Sequence, residues 1–235
     1  VGDLKPKYTV KIEFPFRELF APDDPLAQWI INLSRAVNDL LLANRRLAED
    51  FEQAGPQHEV IYDIRAVGSH AWELAEFLRK TDSPAVDAFL SQLIMKAKQE
   101  YRQVVEALDD PTPVVGNKSF KATLASARDQ AAHYSEIDHK LLRRALSKMG
   151  EANEDGTPHI GVAYVGDTFK DSFNQFASEL DYQLFCEVEG DDMEPLKRFV
   201  LPLNALVASL IKFATTAIHA FLSDHEDELT VTHLD

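Results

Sequence analysis

The chain has a single cysteine, Cys186. That excludes an intramolecular disulfide framework and a cysteine-based zinc site, and it fits a reducing compartment. Glycine is scarce too, with 9 in 235 residues, and none falls into a Gly-rich phosphate loop, a nucleophile elbow or a dinucleotide-binding turn. Positive charge is short: 24 Lys and Arg against 39 Asp and Glu give a net charge of −15, which disfavours indiscriminate binding to polyanions. No long apolar run is uninterrupted. The most apolar stretch, Phe199 to Leu222, contains Pro202, Asn204, Lys212 and His219, so it reads as a buried core helix and not a membrane span, with His219 a satisfied core histidine. The chain begins Val1-Gly2-Asp3, without a start methionine or a charged leader followed by an apolar run; no secretory signal and a cytoplasmic location are expected. Internal repeats and low-complexity tracts are lacking as well.

What is present is helical periodicity. Tyr8 to Phe14 alternates as a weak strand or extended arm lying against the body, and residues 1–25 form that N-terminal arm. Asp24-Pro25 is an N-cap acceptor followed by proline at the first helical position. Leu26, Trp29, Ile30, Leu33, Val37, Leu40, Leu47 and Phe51 then recur at three- and four-residue spacing. A second helix is predicted from about Glu59 to Lys80, and Ser83-Pro84 restarts the chain into a third reaching Leu108. Short connections between long helices imply antiparallel neighbours. Ser119 is placed to cap a fourth helix to about Tyr134, followed by a short helix from Asp138 to Met149. Beyond come a loop with an alternating Ile160, Val162 and Tyr164, a helix from Thr168 to Leu184, and a last helix from about Pro195. The expected fold is an all-α antiparallel bundle over residues 26–235, with a core at about 26–150, additional C-terminal helices at 151–224 and a solvated acidic tail at 225–235.

Chemistry gathers in one place. Arg128-Asp129-Gln130-Ala131-Ala132-His133-Tyr134 sets charged side chains among small alanines, as a surface approached closely by a ligand would. It lies between Lys118 and Lys148, where seven basic residues face three acidic ones. Such a segment suits a phosphate-facing surface. The alternative is that Arg143, Arg144 and Lys148 complement the dipole of their own helix.

Ala127 to Tyr134, after two long helices and before a short basic one, resembles the signature of the HEPN superfamily: Arg, a polar residue, three more residues, then His. The resemblance implies a helical bundle, commonly a homodimer, some of whose members are metal-independent endoribonucleases acting on RNA without a cofactor. Arg128 would then hold the scissile phosphate, and His133 would act as general base or acid toward the ribose 2′-hydroxyl. Asp129 stands where Asn is commoner, and Tyr134 follows His133 directly, so no regulatory tyrosine is implied. Residues five apart on a helix point about 140° away from each other; Arg128 and His133 of one chain therefore do not lie side by side, and a partner protomer would complete the pair. Asp129 and His133, four apart, share a face and can hydrogen-bond.

Several other readings compete. Arg128 and Asp129 in local ion pairs, with His133 satisfied among small residues, describes a non-catalytic module that binds a partner protein. Glu136 and His139 have the spacing of a carboxylate-bridged metal bundle, but no second Glu-x-x-His occurs, so no metal is expected. His225 and His233 fall in the acidic tail, where cation binding would be loose. Trp29 and Trp72 read as core or interface anchors. His70 and Glu73 share a face of the second helix with Arg65 nearby; they either line a polar groove against the motif helix or form a surface ion pair.

Overall fold

Asp24 opens the first long helix as its place before Pro25 predicts. In the computed structural model, which describes residues 10–52, 57–115, 118–132 and 194–233 and positions 143, 146, 147, 156 and 157, the Asp24 carboxylate accepts a hydrogen bond from the Leu26 backbone N–H at 2.9 Å. Strand β1 (Val10–Glu13) and the one-turn helix α1 (Phe16–Leu19) come before it, and α2 runs Pro25–Glu52. Its Ala27, Ile30, Leu33, Val37, Leu40 and Leu47 are buried, and they pack on α3 (Gln57–Arg79). Trp29 is a core anchor: its indole N–H donates to Thr81 Oγ1 at 2.9 Å, and its ring stacks on Phe77.

The third helix is two. The expected single element from Ser83-Pro84 to Leu108 divides into α4 (Pro84–Gln92) and α5 (Met95–Asp109). Leu93 and Ile94 between them have ψ of 150° and 151°, which is extended backbone. The Lys98 ammonium donates to the Ser91 carbonyl freed by the break, at 2.6 Å. The reason lies in the packing. α4 buries Val86 and Phe89 against α2, whereas α5 buries Ala97, Val104 and Leu108 and lies along α7 (Glu194–Ser223). One straight helix cannot follow both partners.

After α5 a small antiparallel ribbon, β2 (Pro113–Val115) and β3 (Lys118–Ser119), leads into α6 (Phe120–Ala132). The described residues are thus predominantly helical, with an all-α core. α3 is the central element, contacting α2, α5, α6 and α7. The expected helices at 138–149 and 168–184, the strand at 160–164 and Cys186 lie outside the described residues, apart from Arg143, Leu146 and Ser147, which are helical.

Among the described residues α7 is the one helix long and apolar enough to cross a membrane, over Arg198–Ser223. Phe199, Leu203, Leu206, Leu210, Phe213, Ala217 and Phe221 form its buried face, against α2, α3 and α5. Pro202 sits inside the helix, where it removes one backbone N–H. Lys212 and His219 lie on the outer face, so His219 is exposed and not the core histidine that its apolar neighbours predict. Its position, six residues after Phe213, turns it away from the buried stripe.

The first and last described segments meet. β1 pairs antiparallel with β4 (Thr230–His233), with Ile12 opposite Val231 and Val10 opposite His233. The tail is therefore a short 3-10 turn (Glu226–Glu228) and a strand, not a merely solvated acidic segment. Phe20 stacks on Phe221 at 5.5 Å between ring centres, and His225 lies 4.7 Å from Phe221 on the other side of the sequence. The His225 Nδ1–H donates to the Phe221 carbonyl at 2.8 Å, satisfying one of the orphan carbonyls at the end of α7. His225 is thus tied to the end of α7, where the sequence predicts a solvated acidic tail.

Candidate functional site at the α3–α6 edge

Arg128 to Ala132 of the charged motif form the C-terminal end of α6 (Phe120–Ala132). Ser119 caps this helix as predicted: its hydroxyl accepts from the Ala122 N–H at 3.3 Å, the Ncap-to-N3 arrangement. Phe120, Thr123, Leu124 and Ala127 are buried, and their spacing makes one continuous face. That face rests on α3, where Gly68 lets the two helices come close. A Cβ placed on Gly68 would stand 3.4 Å from Ala127 Cβ, 3.6 Å from Phe199 Cζ and 3.8 Å from Leu124 Cδ2. The small side chain of Ala127 therefore serves a helix–helix contact, not the approach of a ligand.

Those distances decide the sign of a substitution. At 3.4 Å an added methyl group is in ordinary contact, while alanine in a helix interior is favoured over glycine by about 0.5–1 kcal/mol. Gly68→Ala is expected to raise the melting temperature by a few degrees, at about 2–4 °C per kcal/mol for a chain of this size. Gly68→Leu should lower it by overpacking the α3–α6 contact. Calorimetry of the two variants checks both directions, and a fall for alanine would mean that the helices tolerate no added volume.

Arg128 is the next residue round the helix and leaves the core. Its Nε–H donates to Glu73 Oε1 of α3 at 2.9 Å, with the two side chains 40% and 57% exposed. Glu73 and the motif arginine are thus brought together across the helix pair by residues 55 positions apart in the chain. His70, one turn earlier on α3, is half-buried. Arg65 is 3% exposed and belongs to the interior. Asp129 lies on α6, but its side chain, with His133, Tyr134, Glu136, Asp138 and His139, falls outside the described residues. The Asp129–His133 pair expected within one chain, and the Arg128–His133 pair expected across two protomers, therefore fall there too. Among the described residues no group of three or more His, Cys, Asp or Glu side chains is arranged to hold a metal ion.

Sequence reasoning missed the charged interior of α3. Asp63 is 1% exposed and forms an ion pair with Arg46 Nε of α2 at 3.1 Å. Glu76, also buried, receives Arg79 and Lys80 from its own helix at 3.2 and 3.1 Å. The available signal was the apolar and small residues spread around α3. Ile61, Ile64, Val67, Gly68, Ala71, Leu74 and Ala75 cover more than one stripe, the pattern of a helix enclosed by neighbours. Polar residues on such a helix are buried with the rest.

No protein-family model matches the chain, and no curated protein or solved structure matches it at a significant level.

Proposed function

We propose that this chain is a HEPN-like helical protein whose α6 edge engages the phosphate of RNA or a nucleotide, with metal-independent endoribonuclease activity at a cleft completed by a second protomer. The observation that carries this reading is the position of Arg128. Ala127 seats α6 on α3, and the next residue presents a half-exposed guanidinium at the edge, within the basic segment of an otherwise acidic chain. A guanidinium there can hold a phosphate and neutralise charge developing in the transition state. His133 supplies the proton transfer, and a homodimer overcomes the angular separation of the two residues on one helix.

The test is cleavage of structured and single-stranded RNA by the purified full chain in EDTA. Cleavage is expected, and Arg128→Ala should lower its rate by about 10²–10³-fold; His133→Ala should lower it by about 10²–10⁴-fold. No cleavage, or cleavage that survives both substitutions, ends the enzymatic reading.

The Arg128–Glu73 contact itself favours a second reading, a non-catalytic module that binds a partner protein, because it gives the arginine a structural task. In that case Arg128→Ala and His133→Ala leave RNA untouched but lower the melting temperature or dissociate an oligomer, as melting curves and light scattering would record.

A further inference from the structure

We propose that Glu73 is a resident competitor for the anion that Arg128 receives, so that the arginine exchanges the Glu73 carboxylate for a phosphate when the site fills. This inference rests on the reading of α6 as a phosphate-engaging edge and adds the regulation of that edge. A carboxylate and a phosphate offer the same guanidinium the same kind of acceptor oxygen. Glu73 holds that position across the helix pair through one Nε–Oε1 contact of 2.9 Å, with both side chains about half in water. An exposed pair of this kind shifts an equilibrium by about fivefold or less, so the Glu73 contact by itself is weak enough to give way to a phosphate ester, and the buried α3–α6 contact at Gly68 and Ala127 does not depend on it. The charge balance makes the exchange selective. The chain carries −15 overall, and a Glu73 carboxylate left beside a bound phosphate repels it. A ligand must therefore bring more than one favourable contact to win the arginine. Glu73 thus sets a threshold: an isolated inorganic anion is resisted, and an extended phosphate chain is admitted.

The experiment uses the full chain as wild type, Glu73→Gln, Arg128→Ala and the double variant. Binding of a labelled single-stranded RNA is followed by fluorescence anisotropy, and stabilisation by tripolyphosphate and by sulfate is followed by thermal shift. Glu73→Gln keeps the size and an acceptor oxygen but removes the charge, and it should tighten RNA binding about threefold to fivefold. In the Arg128→Ala background the same substitution should change binding by less than about twofold. Equal tightening in both backgrounds would show a general charge effect and overturn the exchange, as would no tightening in either. If no variant binds RNA, yet Glu73→Gln acquires an Arg128-dependent stabilisation by tripolyphosphate, the exchange stands and the RNA reading falls. If tripolyphosphate stabilises no variant either, the exchange falls as well. Glu73→Ala, measured alongside, guards against an effect peculiar to glutamine.

Discussion

Phe199→Ala is expected to destabilise the protein by about 3–5 kcal/mol, the range for emptying a fully enclosed aromatic site. Phe199 is completely buried on the first turns of α7. Its ring lies 5.8 Å from that of Phe120, the first residue of α6, and its Cζ would sit 3.6 Å from a Cβ on Gly68. One side chain therefore fills the junction of α3, α6 and α7. The helices around it are held by other contacts and cannot collapse fully into the space, so the loss includes a cavity contribution beyond the transfer of the ring to water. For a chain of this size the melting temperature should fall by about 10 °C or more. The effect should also reach the candidate site, because the seat of α6 fixes how Arg128 meets Glu73. Urea denaturation gives the stability change. A loss below about 1 kcal/mol would mean that the junction repacks and that α6 does not depend on α7 for its position.

The same junction shows what can be read from a sequence of this kind. Asp24-Pro25 and Ser119 announced the starts of α2 and α6, because a cap is local chemistry: a side-chain oxygen within reach of an unsatisfied N–H two or three residues away. The division of α4 from α5 was not legible. Leu93 and Ile94 continue the apolar period of a helix, and the break falls where the chain changes its packing partner from α2 to α7. Nor was the pairing of β1 with β4. The alternation at Val10–Glu13 marks an extended segment, but its partner at Thr230–His233 lies at the other end of the chain, and a four-residue strand carries no signature of the strand it joins. At the site, the neighbourhood of Glu73 and the motif helix was legible from shared helical faces. The task of Ala127 was not, because a small residue facing a ligand and a small residue facing another helix look the same in sequence. Gly68 distinguishes them, and only the structure sets it opposite Ala127.

Removing Arg46 should be costly for a residue so exposed. Truncations at the surface usually change stability by no more than about 0.5 kcal/mol, and the Arg46 side chain is 60% exposed. Its partner is not: Asp63 sits at 1% exposure on the central helix, with Oδ1 3.1 Å from Arg46 Nε. The guanidinium is held there partly by the Tyr62 ring, whose centre lies 5.5 Å from Arg46 Cζ, a contact that adds attraction without desolvating the cation. Arg46→Ala takes away a counter-charge and leaves the carboxylate in place, and an interior carboxylate that loses a partner destabilises far more than the exposed half of the pair contributes by itself. Water reaching the open side of the pair screens part of this, so the expected loss is about 2 kcal/mol, below the range of about 3–5 kcal/mol for breaking a fully enclosed pair. The double variant Arg46→Ala with Asp63→Asn separates charge from packing. If the loss comes from the missing counter-charge, the amide should recover part of it relative to Arg46→Ala alone, whereas in the presence of Arg46 the Asp63→Asn change should destabilise. Chemical denaturation of the four proteins yields the coupling directly. Additive losses would mean that Arg46 contributes only its aliphatic stem to the α2–α3 contact and that Asp63 is held by the rest of its surroundings.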